Sequence, residues 1–207
     1  MTDMSIDIIP VKYAESTLPE SMVFQGGASD KKYPIDFILY LLKTKEKLIL
    51  IDAGCDTLPG FVLTNFKGVV KALEETGFKV TDITDVIITH SHHDHIEGIK
   101  YFKNALIHIQ KDELSGKYIN DDFKVNIFDD EFTVCDGVKI VKVGGHSKGS
   151  CIVEVNETNI FVGDECYISD CITEKRPTGA SVCPEKSKAF IEKYSNPKYK
   201  LYFAHSK

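Results

Sequence analysis

Thr89-His90-Ser91-His92-His93-Asp94-His95 places four of the chain's seven histidines within six residues, directly after the apolar run Asp85-Val86-Ile87-Ile88. Neutral imidazole and carboxylate are natural ligands for zinc and similar divalent cations. A loop between a strand and a helix suits them, because rigid elements on both sides fix its ends. His90 and His92 are two apart, so on extended backbone they face the same way. Asp94 and His95 fall at the turn into a helix and can point elsewhere. One short segment can therefore serve two cations.

Zinc takes at least four ligands, so the cluster needs partners from other parts of the chain. Three later segments offer them in the same context: Val143-Gly144-Gly145-His146-Ser147, Phe161-Val162-Gly163-Asp164 and Phe203-Ala204-His205. In each, an apolar strand ends on a group able to bind a metal. That recurrence carries more weight than any single histidine.

Hydrophobic periodicity outlines the scaffold. Strands are expected over 5–13, 35–43, 47–51, 85–89 and 105–109, then over 125–128, 131–135, 138–143, 151–155, 159–162 and 200–203. The runs at 47–51 and 85–89 are almost wholly apolar, as in strands covered on both faces. Phe61, Val62, Phe66, Val69, Val70 and Leu73 recur at helical spacing, with Gly77 as the stop. Helices are also expected over 96–102 and 184–194. This order suggests a mixed sheet, or two sheets with helices outside, rather than an all-parallel sheet. One domain over 1–207 is the expectation.

Composition narrows the function classes. Hydrophobic residues make up 43% and charged residues 27%, and the net charge is -6. Duplex nucleic acid would need a basic stripe, and none stands out. No stretch approaches the ~18 consecutive apolar residues of a membrane span, and no apolar run of signal length follows Met1. The six cysteines form no C-x-x-C pair, so free thiols are expected. A cytoplasmic protein with a small-molecule substrate fits these features. Oligomeric state is not readable from them.

His90-x-His92-x-Asp94-His95, followed by His146, Asp164 and His205, resembles the metal-binding series of the metallo-β-lactamase superfamily, and Ile51-Asp52-Ala53-Gly54 resembles its first motif. The resemblance implies an α+β fold, a four-layer αββα sandwich, with the metal site at one edge of the sheets. It implies that His90, His92 and His146 hold one metal, that Asp94, His95 and His205 hold a second, and that Asp164 bridges them. The activity it implies is that of a metal-dependent hydrolase using a hydroxide shared by two divalent ions, zinc first, with iron or manganese as alternatives. Within the superfamily the chain is most similar to the N-acyl homoserine lactone lactonases, which carry a Tyr three residues after the bridging aspartate, here Tyr167. A lactone or related ester is then the expected substrate, with Asp94 as proton donor to the leaving oxygen and Tyr167 bonding the substrate carbonyl. A thioesterase or phosphodiesterase of the same superfamily is an alternative. So is a mononuclear iron dioxygenase acting on a thiol or persulfide, using His90, His92, His146 and Asp164. The end of the chain two residues after His205 argues against the glyoxalase II type.

Other polar residues receive plainer readings. His108 is expected to pack in its strand, and His93 to point away from the metals. Asp52 is expected to orient a metal-bound histidine. Glu97 and Glu165 are expected to be solvated, and Cys166 to be a buried bystander. The pocket walls are expected from the loops at 26–33 and 170–183.

Overall fold

The computed structural model describes residues 5–114 and 116–205. Eleven strands among them form two sheets. β1 (Asp7–Pro19), β2 (Lys32–Lys43), β3 (Leu48–Ile51), β4 (Asp85–Ile88), β5 (Leu106–Gln110) and β6 (Lys124–Phe128) pair in that order. β1, β2 and β3 run antiparallel, whereas β3 to β6 are parallel. The second sheet holds β7 (Glu131–Cys135), β8 (Val138–Lys142), β9 (Cys151–Val155), β10 (Asn159–Phe161) and β11 (Lys200–Tyr202), in the order β11-β10-β9-β8-β7. Only β10 and β11 are parallel there.

Successive side chains on a strand point to opposite faces, and that rule separates two hydrophobic layers. Leu42, Ile49, Ile51 and Ile87 from the first sheet pack with Ile140, Val153, Val155 and Phe161 from the second, forming the core between the sheets. Their strand neighbours Leu41, Leu50, Val86 and Ile88, and Ile152 and Ile160 of the second sheet, belong to the outer layers. Those layers are covered by α2 (Val69–Glu74), α3 (His93–Ile96) and α5 (Pro184–Tyr194), with the short α1 (Glu20–Val23) and α4 (Asp170–Thr173) alongside. Both faces of β3 and β4 are thus apolar, which is why their sequence runs show no alternation. The architecture is the αββα sandwich, and the expected helix over 184–194 is present at those bounds.

The segment expected as a helix over 96–102 is mostly a 3₁₀ turn, Glu97–Tyr101, following α3, and β1 continues to Pro19 beyond the 5–13 expected. The helix expected from Phe61 is confined to Val69–Glu74. Thr64 exchanges two backbone hydrogen bonds with Glu15 of β1, at 2.8 and 2.7 Å, which removes its groups from any helix. Asn65 and Gly68 adopt positive φ (46° and 79°), and a helix does not pass through that region. Val62 and Phe66 are consequently exposed, at 76% and 44%. Among the described residues no helix is long and apolar enough to cross a membrane.

Candidate metal centre

Five strand ends deliver the site. Asp52 follows β3, His90 follows β4, His146 lies beyond β8, Asp164 beyond β10 and His205 beyond β11. Asp52 turns the chain at φ 61°, a left-handed conformation disfavoured for a residue with a side chain. Its amide bonds to Ile87 and the amide of Ala53 to His95, at 2.8 and 2.7 Å, tying the end of β3 to the ligand loop.

The seven predicted residues converge as two groups: His90, His92, His146 and Asp164, and Asp94, His95 and His205, with the donor atoms of each group within 4.8 Å of one another. In the first, His92 Nδ1 lies 3.0 Å from His90 Nε2 and 2.8 Å from His146 Nε2. In the second, Asp94 Oδ2 lies 3.6 Å from His95 Nε2 and 3.5 Å from His205 Nε2. Asp164 stands between them. Its Oδ1 is 3.1 Å from His95 Nε2 and 3.2 Å from His205 Nε2, while its Oδ2 is 3.7 Å from His90 Nε2 and 3.5 Å from His146 Nε2. Each carboxylate oxygen therefore addresses one group.

The donor set fits divalent cations. Around a tetrahedral zinc with Zn–N bonds of about 2.0–2.1 Å, neighbouring donors stand about 3.3 Å apart, close to the separations seen here. His95 Nε2 and Asp164 Oδ1 are buried without a hydrogen-bond partner among the described residues, as is the other ring nitrogen of His146, Nδ1. A buried polar atom left unpaired is costly, and a cation between the first two would satisfy both. The tautomers agree. His95 Nδ1 donates to Asp52 Oδ2 at 2.8 Å and His205 Nδ1 to the Asp36 carbonyl at 3.3 Å, leaving each Nε2 with its lone pair toward the centre. Thr89 Oγ1 donates to Asp52 and accepts from His90 Nδ1 at 3.2 Å, which does the same for His90.

Electrostatics points the same way. Burial pushes His90 well below the usual imidazole value and His146 down to about 4, so both are neutral. Burial acts downward on His95 and His205 too, but Asp164 and Asp94 outweigh it, with Asp52 adding to the effect at His95, and both are raised. The carboxylates thus favour positive charge at the centre, which a bound divalent cation would supply. Asp164, despite burial, is held far below the usual carboxylate range by His95, His205 and His90. Tyr167 is buried beside both groups, its ring 5.2 Å from that of His205 and 5.8 Å from that of His146. Burial, Asp164 and Asp94 keep its phenol protonated. His92 is exposed, the open side of the centre.

Several plainer expectations are also met. Asp52 takes the orienting contact with His95. His93 turns to Tyr118, its Nδ1 2.8 Å from the hydroxyl. His108 is buried and bonds Asp85 at 2.8 Å. Cys166 is fully buried, and all six cysteines are free.

Glu165 is the correction. It is 0% exposed rather than solvated, and its Oε1 accepts from the amides of Gly145 and His146, both at 3.1 Å, and from Ser150 Oγ at 2.5 Å. Ser187 Oγ of α5 donates to its other oxygen at 3.2 Å. Burial raises its pKa. Gly145 permits this approach, since a Cβ there would stand 2.3 Å from Glu165 Oε2. Glu97 is only partly solvated, accepting from the Asp56 amide and pairing with Lys100. Glu113, which sequence reasoning missed, is 4% exposed and accepts hydrogen bonds from both ligand loops. Burial pushes its carboxyl up, but the donors from Ser147, Ser91 and Gly149 prevail and hold it low. The one available signal was its position, at the end of a strand neighbouring the one that delivers His90.

The profile of the Metallo-beta-lactamase superfamily matches residues 39–204, and the chain belongs to that superfamily. Among curated proteins it is 32% identical over 114 residues to a probable metallo-hydrolase of Methanocaldococcus jannaschii, covering 55% of this chain and 52% of that protein. The chain spans about half the length of the curated relatives it matches. Among solved structures, B. thuringiensis AiiA with N-decanoyl-L-homoserine bound at the active site superposes with a TM-score of 0.81 at 22% identity, covering 100% of this chain and 94% of that one. The dizinc quorum-quenching lactonase AidC gives 0.78 at 20% identity, covering 100% and 89%. At these identities the structural likeness speaks for the fold.

Proposed function

We propose that this chain is a di-metal hydrolase that opens a lactone or related ester bond. The observation that carries the reading is the carboxylate of Asp164, whose two oxygens face two separate donor groups. His90, His92 and His146 would hold one cation, Asp94, His95 and His205 the second, and Asp164 would serve both. Bound divalent cations supply a Lewis acid and lower the pKa of water from about 15.7 to about 7. Imidazole and carboxylate ligands suit zinc, iron and manganese alike; the dizinc neighbour favours zinc.

The chain's own residues do the rest. Asp94 is half-buried, with one oxygen 3.5–3.6 Å from two imidazoles, and can take the proton that the attacking water gives up and pass it to the departing oxygen. Tyr167, protonated throughout the neutral range, donates a hydrogen bond to the substrate carbonyl oxygen. That bond matters most as negative charge develops there. The open side at His92 admits substrate. A mononuclear dioxygenase would use only the first donor group, and the assembled second group favours the hydrolase.

Metal analysis of purified protein and a panel of acyl-homoserine lactones, simple lactones, esters and thioesters test the reading. Two divalent ions per chain and turnover of lactones are expected, abolished by chelation and restored by zinc. One iron per chain would overturn the two-metal reading. Turnover of thioesters alone would overturn the lactone.

A further inference from the structure

We propose that Glu113 is a positioning residue that locks the loop carrying His90 and His92 to the loop carrying His146, and so sets the cation affinity of that three-histidine group. The inference rests on the di-metal reading and goes beyond it. Glu113 closes a short turn after β5, the 3₁₀ segment Lys111–Glu113, on neither ligand loop.

Its two oxygens divide the work evenly. Oε2 accepts from the Ser91 amide at 2.8 Å and from Ser91 Oγ at 2.7 Å. Oε1 accepts from Ser147 Oγ at 2.6 Å and from the Gly149 amide at 2.8 Å. Ser91 lies between His90 and His92, and Ser147 directly follows His146. One carboxylate therefore spans the two segments whose imidazole nitrogens must converge. Those nitrogens approach within 2.8–3.0 Å although the loops come from different sheets. A further feature shows the contact is built into the loop. A Cβ on Gly149 would stand 2.2 Å from Gln110 Oε1 and 2.8 Å from Glu113 Cγ, so a side chain there would push Gln110 and Glu113 from the positions in which they bond.

A carboxylate is required because each end receives a backbone N–H. The serine hydroxyls can reverse and donate elsewhere, but the amides cannot. In Glu113→Gln the NH2 group meets an amide donor at one end whichever way it turns, so one loop is released while the shape of the side chain is kept. Partners behind metal ligands change metal affinity by about ten- to hundredfold.

Stepwise cobalt titration of the full chain, followed by the visible spectrum and by chelator competition, reads the two sites without turnover. Asp52→Asn, which acts on the His95 side, is the opposite control. The expected result for Glu113→Gln is a roughly tenfold or greater loss of affinity at one site, different from the site weakened by Asp52→Asn, with an altered cobalt spectrum. Ser91→Ala with Ser147→Ala, which leaves the carboxylate and both amides in place, should lose less. If Glu113→Gln fails to fold, Glu113→Asp takes its place, because it keeps the charge but cannot span both loops. Two cobalt ions bound by wild type with unchanged affinities and spectrum in the variant would overturn the role of Glu113 alone. A wild-type chain that binds no cobalt would overturn the di-metal reading and this proposal together.

Discussion

Asp52→Asn removes one negative oxygen and almost nothing else, which makes it the sharpest probe of how the centre is wired. Asp52 is 3% exposed and accepts from the Thr89 amide at 2.8 Å, from Thr89 Oγ1 at 2.9 and 3.0 Å, and from His95 Nδ1 at 2.8 Å. An asparagine has one acceptor end. If its NH2 group faces Thr89, a buried amide loses its partner at a cost of about 1–3 kcal/mol. If it faces His95, the imidazole must accept through Nδ1 and carry its proton on Nε2, 3.1 Å from Asp164 Oδ1. That proton occupies the lone pair a cation needs. Either outcome weakens the Asp94–His95–His205 group, by about ten- to hundredfold in affinity, equivalent to about 1.4–2.7 kcal/mol. His90 is affected less, because Thr89 Oγ1 stands between it and Asp52 and can reorient. Chelator competition near neutral pH, alongside thermal unfolding of the apo protein, reads both effects. A variant that binds both cations as tightly as wild type would refute the wiring.

Asp85, buried behind Lys47 and His108, offers a test away from the centre. Burial alone would raise its pKa, but His108 and Lys47 outweigh it and bring the carboxyl down from 3.8 to about 2. A carboxylate depressed in the folded state stabilises the protein above its unfolded pKa and loses that contribution as pH falls through the folded one. Asp85→Asn should therefore lower stability at neutral pH by about 2 kcal/mol and flatten the acid limb between about pH 4 and pH 2. Denaturant unfolding across that range is the measurement, and an unchanged acid limb would contradict the assignment. Tyr167→Phe should leave cation content intact while lowering kcat by about a hundredfold, the scale of a lost oxyanion donor. Steady-state kinetics with metal analysis on the same sample would show it, and a rise in KM alone would move Tyr167 from the reacting carbonyl to ground-state binding.

The identities of the candidate ligands were legible in the chain itself. Histidine and aspartate at the ends of apolar runs are uncommon enough that His90, His92, Asp94, His95, His146, Asp164 and His205 stood out before any distance was known. The strands were legible for a related reason, since β3, β4 and β9 must be apolar to lie between layers. Helical spacing misled at Phe61–Phe66, because periodicity records which side chains could share a face and not where the backbone hydrogen bonds go; Glu15 took those of Thr64. Glu113 and Glu165 could not be read locally at all. A glutamate directly after an aspartate, as both are, looks solvated until loops from elsewhere bring amides and hydroxyls to it, and burial is a property of that assembly. Sequence alone determined which atoms can bind a cation; the fold decided where they point and which carboxylates hold them there, because orientation depends on contacts between segments far apart in the chain.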